Sequence, residues 1–158
     1  MTKDAHAQQA PAEEEGEPIE QNPLRVVLVT GDKAVFDGDG WRVVAPATEG
    51  QITVGDRHAP LLARLEPGEL VVKTRLDEES FAIGGGFIEV RDNQVIILAD
   101  TAERAEEIDI VRAEAARRRA RMLVERYRGR PEAVAARQAL RRSRARLRAA
   151  RRARGRSA

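Results

Sequence analysis

The run Ile108-Asp109-Ile110-Val111-Arg112-Ala113 sets a carboxylate three residues before a guanidinium. On a helix the two share a face, with Ile108 one turn from Arg112. By spacing alone this is a surface ion pair contributing about 0.2–0.5 kcal/mol. His58-Ala-Pro-Leu-Leu62, with Asp56 nearby, is the next place where proton chemistry suggests itself. No nucleophile or second base accompanies it, so His58 reads as a loop histidine held by a neighbour. Gly84-Gly85-Gly86-Phe87 has no following Lys-Ser/Thr and no GxxxxGK[ST] occurs anywhere, so the triplet reads as a bend or bulge between strands. With two histidines and no cysteine the chain has no thiolate or histidine-rich metal set and no disulfide framework. No catalytic or metal-binding residues are assigned.

The elements that position these residues fall into unlike parts. Residues 1–23 are acidic, carry Glu13-Glu14-Glu15 and few large apolar side chains, and read as a disordered tail without an apolar signal core. Residues 24–100 alternate short β-branched runs with turn residues. The runs are Leu24–Val29, Val35-Phe36, Trp41–Ala45, Ile52–Val54, Leu61–Leu65, Leu70–Leu76, Ser80–Ile83, Phe87–Val90 and Val95–Ala99. Gly31-Asp32, Asp37–Gly40, Gly55-Asp56, Pro67-Gly68, Asp77-Glu78, the glycine triplet and Asp92-Asn93 read as the breaks. Strands at this spacing predict a β-sandwich. Residues 101–158 read as two helices, the first capped at Asp100 or Thr101 and running to about Arg128, the second from Pro131 to about Ala153. Gly129-Arg130-Pro131 is the break, short enough for an antiparallel hairpin. The fold class is therefore a β-sandwich followed by a C-terminal antiparallel two-helix hairpin.

The second helix offers only Val134, Leu140 and Leu147 as bulky apolar side chains, roughly 5–9 kcal/mol if fully buried. Ordering more than twenty residues opposes that, and Arg141, Arg144 and Arg148 repel along one face. A formed but weakly docked helix is expected.

Net charge is +2, yet residues 1–100 carry 9 Lys+Arg against 19 Asp+Glu, while residues 101–158 carry 19 Arg against 7 acids. The C-terminal part, at +12, needs an anionic partner. One reading is a nucleic-acid-binding adaptor with an arginine-rich arm. Tyr127 is the arm's single aromatic, so base stacking is poorly served. A membrane-surface helix would need bulky apolar anchors that the arm lacks.

From Leu24 to Leu147 the chain resembles the epsilon subunit of the bacterial F-type ATP synthase, through His58-Ala-Pro-Leu-Leu62, Gly84-Gly-Gly-Phe87 and Ile108-Asp109-Ile-Val-Arg112-Ala113. The resemblance implies a non-catalytic central-stalk subunit, peripheral on the cytoplasmic side of the cell membrane, that couples proton-driven rotation to ATP synthesis. It implies no required cofactor but a regulatory ATP: Ile108 opens the motif, Asp109 and nearby backbone hold adenine, Arg112 meets phosphate and Ala113 leaves room. Glu103, Arg119 and Arg146 fall on further family contacts. Implied partners are the gamma subunit, the c-ring and acidic segments of the alpha/beta head, with no nucleic acid and only indirect membrane contact. The loop from Thr48 to His58, with Glu49, Gln51 and His58, is implied to face the ring and stalk, and Gln51 stands where the family often has an acid. An extended hairpin would restrain ATP hydrolysis and ATP would hold it folded.

Overall fold

The structure is a computed structural model that describes residues 22–156. The expected acidic tail, apart from Asn22 and Pro23, lies outside the described residues. Eight strands precede the helices: β1 Leu24–Val29, β2 Ala34–Gly40, β3 Arg42–Ala47, β4 Gly50–Val54, β5 Leu61–Lys73, β6 Glu78–Arg91, β7 Gln94–Ala99 and β8 Ala102–Arg104. A 3₁₀ turn, Ala105–Glu107, leads to α1 Ile110–Arg126 and α2 Glu132–Arg156. The strand order is β2-β1-β7-β6-β5-β3-β4, with β8 on β6. β1 and β7 run parallel, and the remaining pairs are antiparallel.

Two expected breaks are bends inside long strands. Pro67-Gly68 lies within β5 and the glycine triplet within β6, with Pro67 opposite Gly84. The first half of β6 pairs with β8 and the second half with β7, so the two long strands serve both layers of the sandwich. Alternate residues fill the core between them, among them Leu24, Val43, Leu70, Phe81, Ile88 and Ile97. The Phe36 and Phe81 rings meet edge-on at 5.8 Å, and the Arg104 guanidinium lies 5.2 Å from the Phe81 ring centre.

The expected turn at Asp37–Gly40 is also strand. These residues pair with Leu24–Val27 of β1, and Asp37, opposite Val27, reaches Arg25 diagonally across the ladder at 2.5 Å. A cross-strand charge pair suits aspartate to an outward-facing strand position that its propensity alone disfavours.

The expected helix cap at Asp100 or Thr101 is corrected as well. The backbone of Thr101 accepts from the Gly84 amide at 2.9 Å, and residues 102–104 then pair with β6. An open sheet edge offers these amides and carbonyls partners that a helix start would leave unmade. Asp109 is the N-cap instead. At the other end Gly129 takes φ +75°, the left-handed conformation expected of the break.

The hairpin is docked: α2 lies against β5, β6 and the 3₁₀ turn, and α1 packs on α2. Of the three bulky side chains expected to drive this, only Leu147 is buried, and Val134 remains 55% exposed. Ala149, Ala150 and Ala153 join Leu147 against Ala82, Ala105, Ile108 and Ala113 in a second small core. Alanine lets the helix approach the sheet closely where larger side chains would hold it away.

Candidate functional site

The first half of β6, the strand β8 and both helices line an open cavity of about 520 Å³. Gly84, Thr101, Glu103, Ala116, Arg142 and Arg146 are among its lining residues. Gly84 makes the wall possible, because a Cβ there would lie 2.3 Å from the Thr101 hydroxyl. Glu103, on β8, and Arg146, on α2, meet across the cavity in a two-pronged pair: Nε donates to one carboxylate oxygen at 2.7 Å and Nη2 to the other at 3.1 Å. Both are partly buried. Such a fork is arginine's way of holding a carboxylate or a phosphate. Arg142 stands one helical turn before Arg146 on the same face of α2.

The remaining residues of the expected set lie outside this wall. Asp109 accepts the backbone N–H of Arg112 at 3.0 Å and so caps α1; it is not bonded to the Arg112 side chain. Replacing Asp109 with alanine is expected to cost about 1 kcal/mol of helix stability, read as faster amide exchange over residues 110–113. Ile108 and Ala113 are buried in the second core. Arg112 and Arg119 are exposed, about one turn to either side of Ala116 along α1, and neither lines the cavity. Arg142 and Thr101 line the cavity without belonging to the expected set; the spacing of four between Arg142 and Arg146 is the one signal for them in the sequence.

The expected docking residues do not form one cluster. Glu49 sits in the β3–β4 turn and Gln51 at the start of β4, whereas His58 follows the opposite end of that strand. Nδ1 of His58 lies 2.8 Å from the Ala59 carbonyl oxygen. Its loop is tied down by Asp56, which accepts from the Asn93 side chain at 2.8 Å and from the Asn22 amide at 3.2 Å. The Asn93 hydrogen bond, then that of Asn22, holds the Asp56 carboxyl below its ordinary range, helped by the Arg57 charge.

A third feature was not anticipated. Phe87 and Leu98 are direct cross-strand partners, Ile96 sits diagonally beside Phe87, and Leu62 lies across from Glu89. All four are exposed, forming an apolar stripe on the outer face of β5, β6 and β7.

Residues 23–105 match the profile of the ATP synthase, Delta/Epsilon chain, beta-sandwich domain. The chain belongs to the ATP synthase delta/epsilon family. The ATP synthase epsilon chain of Dehalococcoides mccartyi is 47% identical to it over 97 residues, 61% of this chain and 69% of that one. The epsilon chain of Herpetosiphon aurantiacus is 42% identical over 128 residues, 81% of this chain and 94% of that one, so the likeness reaches the helices. A chain in the Euglena gracilis mitochondrial ATP synthase structure (OSCP/F1/c-ring in rotational state 1) shares the fold at a TM-score of 0.69 and 23% identity, covering 84% of each chain. This epsilon-family chain is thus a subunit type of the ATP synthase, built as a sandwich with two C-terminal helices. No helix among the described residues is long and apolar enough to cross a membrane, and no group of His, Cys, Asp or Glu there could hold a metal ion.

Proposed function

We propose that this epsilon-family chain is a non-catalytic rotor subunit of a proton-translocating F-type ATP synthase, peripheral on the cytoplasmic side of the cell membrane. The sandwich docks on the gamma subunit and the c-ring, and the hairpin governs wasteful ATP hydrolysis in the head. The observation that carries the docking role is the apolar stripe of Leu62, Phe87, Ile96 and Leu98, which a free domain has no reason to expose. The sandwich core is complete without it. The hairpin's arginines suit acidic segments of the alpha/beta head when it extends.

The cavity supports the second part of the reading, a regulatory ATP. Arg146 and Arg142 offer guanidinium donors on one wall, and Arg112 and Arg119, exposed on α1 and outside the lining, would have to swing in to reach a bound nucleotide. A triphosphate would take the place of Glu103 on Arg146 and so join α2 to α1. With nothing resembling a hydrolytic phosphate loop in the sequence, the nucleotide acts as a ligand. ATP favours the folded hairpin only to the extent that it binds that state more tightly than the extended one.

The test is reconstitution of the synthase with the full chain and with a chain ended at Glu107, which keeps β8. Both forms are expected to copurify with gamma and the c-ring, and the shortened form to show several-fold higher ATPase activity. Loss of assembly in both, with the sandwich folded, removes the docking role; unchanged ATPase removes the inhibitory role. Calorimetry decides the nucleotide separately, with Arg146→Ala expected to weaken ATP binding about tenfold or more. Equal binding by the variant, or none by the full chain, rejects the site.

A further inference from the structure

Four arginines of α2 reach carboxylates on the sandwich and its 3₁₀ turn. Arg141 meets Glu66 at 3.0 Å and Arg146 meets Glu103 at 2.7 Å. Arg152 meets Glu69 at 2.8 Å and Glu78 at 3.3 Å. Arg156 meets Glu78 at 3.2 Å, the Ser80 hydroxyl at 3.0 Å and Glu106 at 3.7 Å. Most of these contacts are open to water and individually weak.

Glu69 is different. It points outward from β5 into the contact with α2 and is only 5% exposed, the one carboxylate among the described residues that is fully covered. Its Oε1 makes no hydrogen bond, so the charge of Arg152 Nε compensates it without the alignment of one. The groups facing it are Arg152 and Arg148 from α2, and Ser80 and Glu78 from β6. Burial pushes its pKa up, and the arginines oppose that shift. Docking of α2 therefore covers a carboxylate that is better solvated when the helix leaves.

We propose that Glu69 and Arg152 form a release trigger for the hairpin: α2 stays docked while Arg152 covers Glu69, and withdrawing Arg152 expels the helix. The sheet face keeps this covered ionisable group beside the small core of Leu147 and alanines, and the docked state tolerates it chiefly through Arg152, the arginine in contact with it, with Arg148 and Ser80 adding to that. Arg152 is itself half exposed, but Glu69 is covered, and removing the charge that faces a covered carboxylate costs more than replacing both partners by uncharged groups of similar shape. Anything that captures Arg152, in the last turns of α2, thus acts on the whole contact. This device does not require nucleotide and stands apart from the cavity reading.

The absence of cysteine allows two to be introduced without background, at exposed Gln94 and Arg154. Spin labels at Gln94→Cys and Arg154→Cys in the full chain then report the sandwich-to-α2 distance by pulsed dipolar spectroscopy. One narrow docked distance is expected for the otherwise unaltered chain. Arg152→Met should raise the undocked fraction at least about tenfold. Adding Glu69→Gln to Arg152→Met should restore the docked distance, and Glu69→Gln alone should keep it. Thermal unfolding of the sandwich, followed in parallel, should show it intact in every variant. The proposal fails if Arg152→Met stays docked, if the double variant is as undocked as the single one, or if the unaltered chain is not docked.

Discussion

Gly86→Ala is expected to destabilise the sandwich by at least about 3 kcal/mol, a large part of the roughly 5–15 kcal/mol that holds a domain of this kind together. Two effects add. Gly86 has φ +135°, where an L-residue is strained by about 1–3 kcal/mol. A Cβ at this position would also lie 2.0 Å from the carbonyl oxygen of Leu98 and 2.9 Å from the Ala99 Cα. Both are backbone atoms of β7, so no side chain can swing aside. Gly86 pairs with Ala99 at the point where β6 bends between layers, and parting these strands opens the core beside Ile88 and Ile97. Urea unfolding followed by tryptophan fluorescence measures the effect through Trp41. A loss below about 1 kcal/mol would show that β6 and β7 can separate locally at little cost, contrary to the pairing described.

Leu147→Ala is expected to release the hairpin while leaving the sandwich folded. Leu147 is 3% exposed and supplies the one bulky side chain of α2 in the second core; its companions from that helix are alanines. Truncating a buried leucine costs about 2–5 kcal/mol, and the surface ion pairs along the helix recover about 0–1 kcal/mol each at best. Hydrogen exchange should show residues 132–156 losing protection at least about tenfold, whereas residues of β1 and β7 keep theirs. Retained protection in α2 would mean that the alanine contacts and ion pairs suffice without this side chain. Loss of protection in β1 as well would mean that hairpin and sandwich unfold as one unit.

Much of the architecture was legible because its signals are local. Leu24–Val29 has the same bounds in the sequence reading and the structure, since β-branched residues flanked by turn residues define a strand wherever it pairs. Gly129 and Pro131 mark the hairpin break for equally local reasons, a left-handed cap and a residue suited to a helix start. The misread segments are those where a distant strand supplied the partners. Asp37–Gly40 looks like a turn until Arg25 and β1 lie beside it. Thr101–Arg104 looks like a helix start until the edge of β6 offers its backbone groups.

The candidate site divides in the same way. Glu103 and Arg146 were singled out by family likeness, yet 43 residues separate them, and only the packing of α2 over β8 makes them a bonded pair. Asp109 and Arg112 were visible as a pair at helical spacing, but the position of the helix start turned the carboxylate into a backbone cap. The sequence by itself determined the division into a β-rich part and an arginine-rich helical part, because periodicity, turn residues and charge are properties of neighbours. Tertiary structure alone decided that the hairpin docks. That contact joins Leu147 and a row of alanines to carboxylates on β5, β6, β8 and the 3₁₀ turn, and no local pattern encodes charge pairs whose partners lie so far apart along the chain.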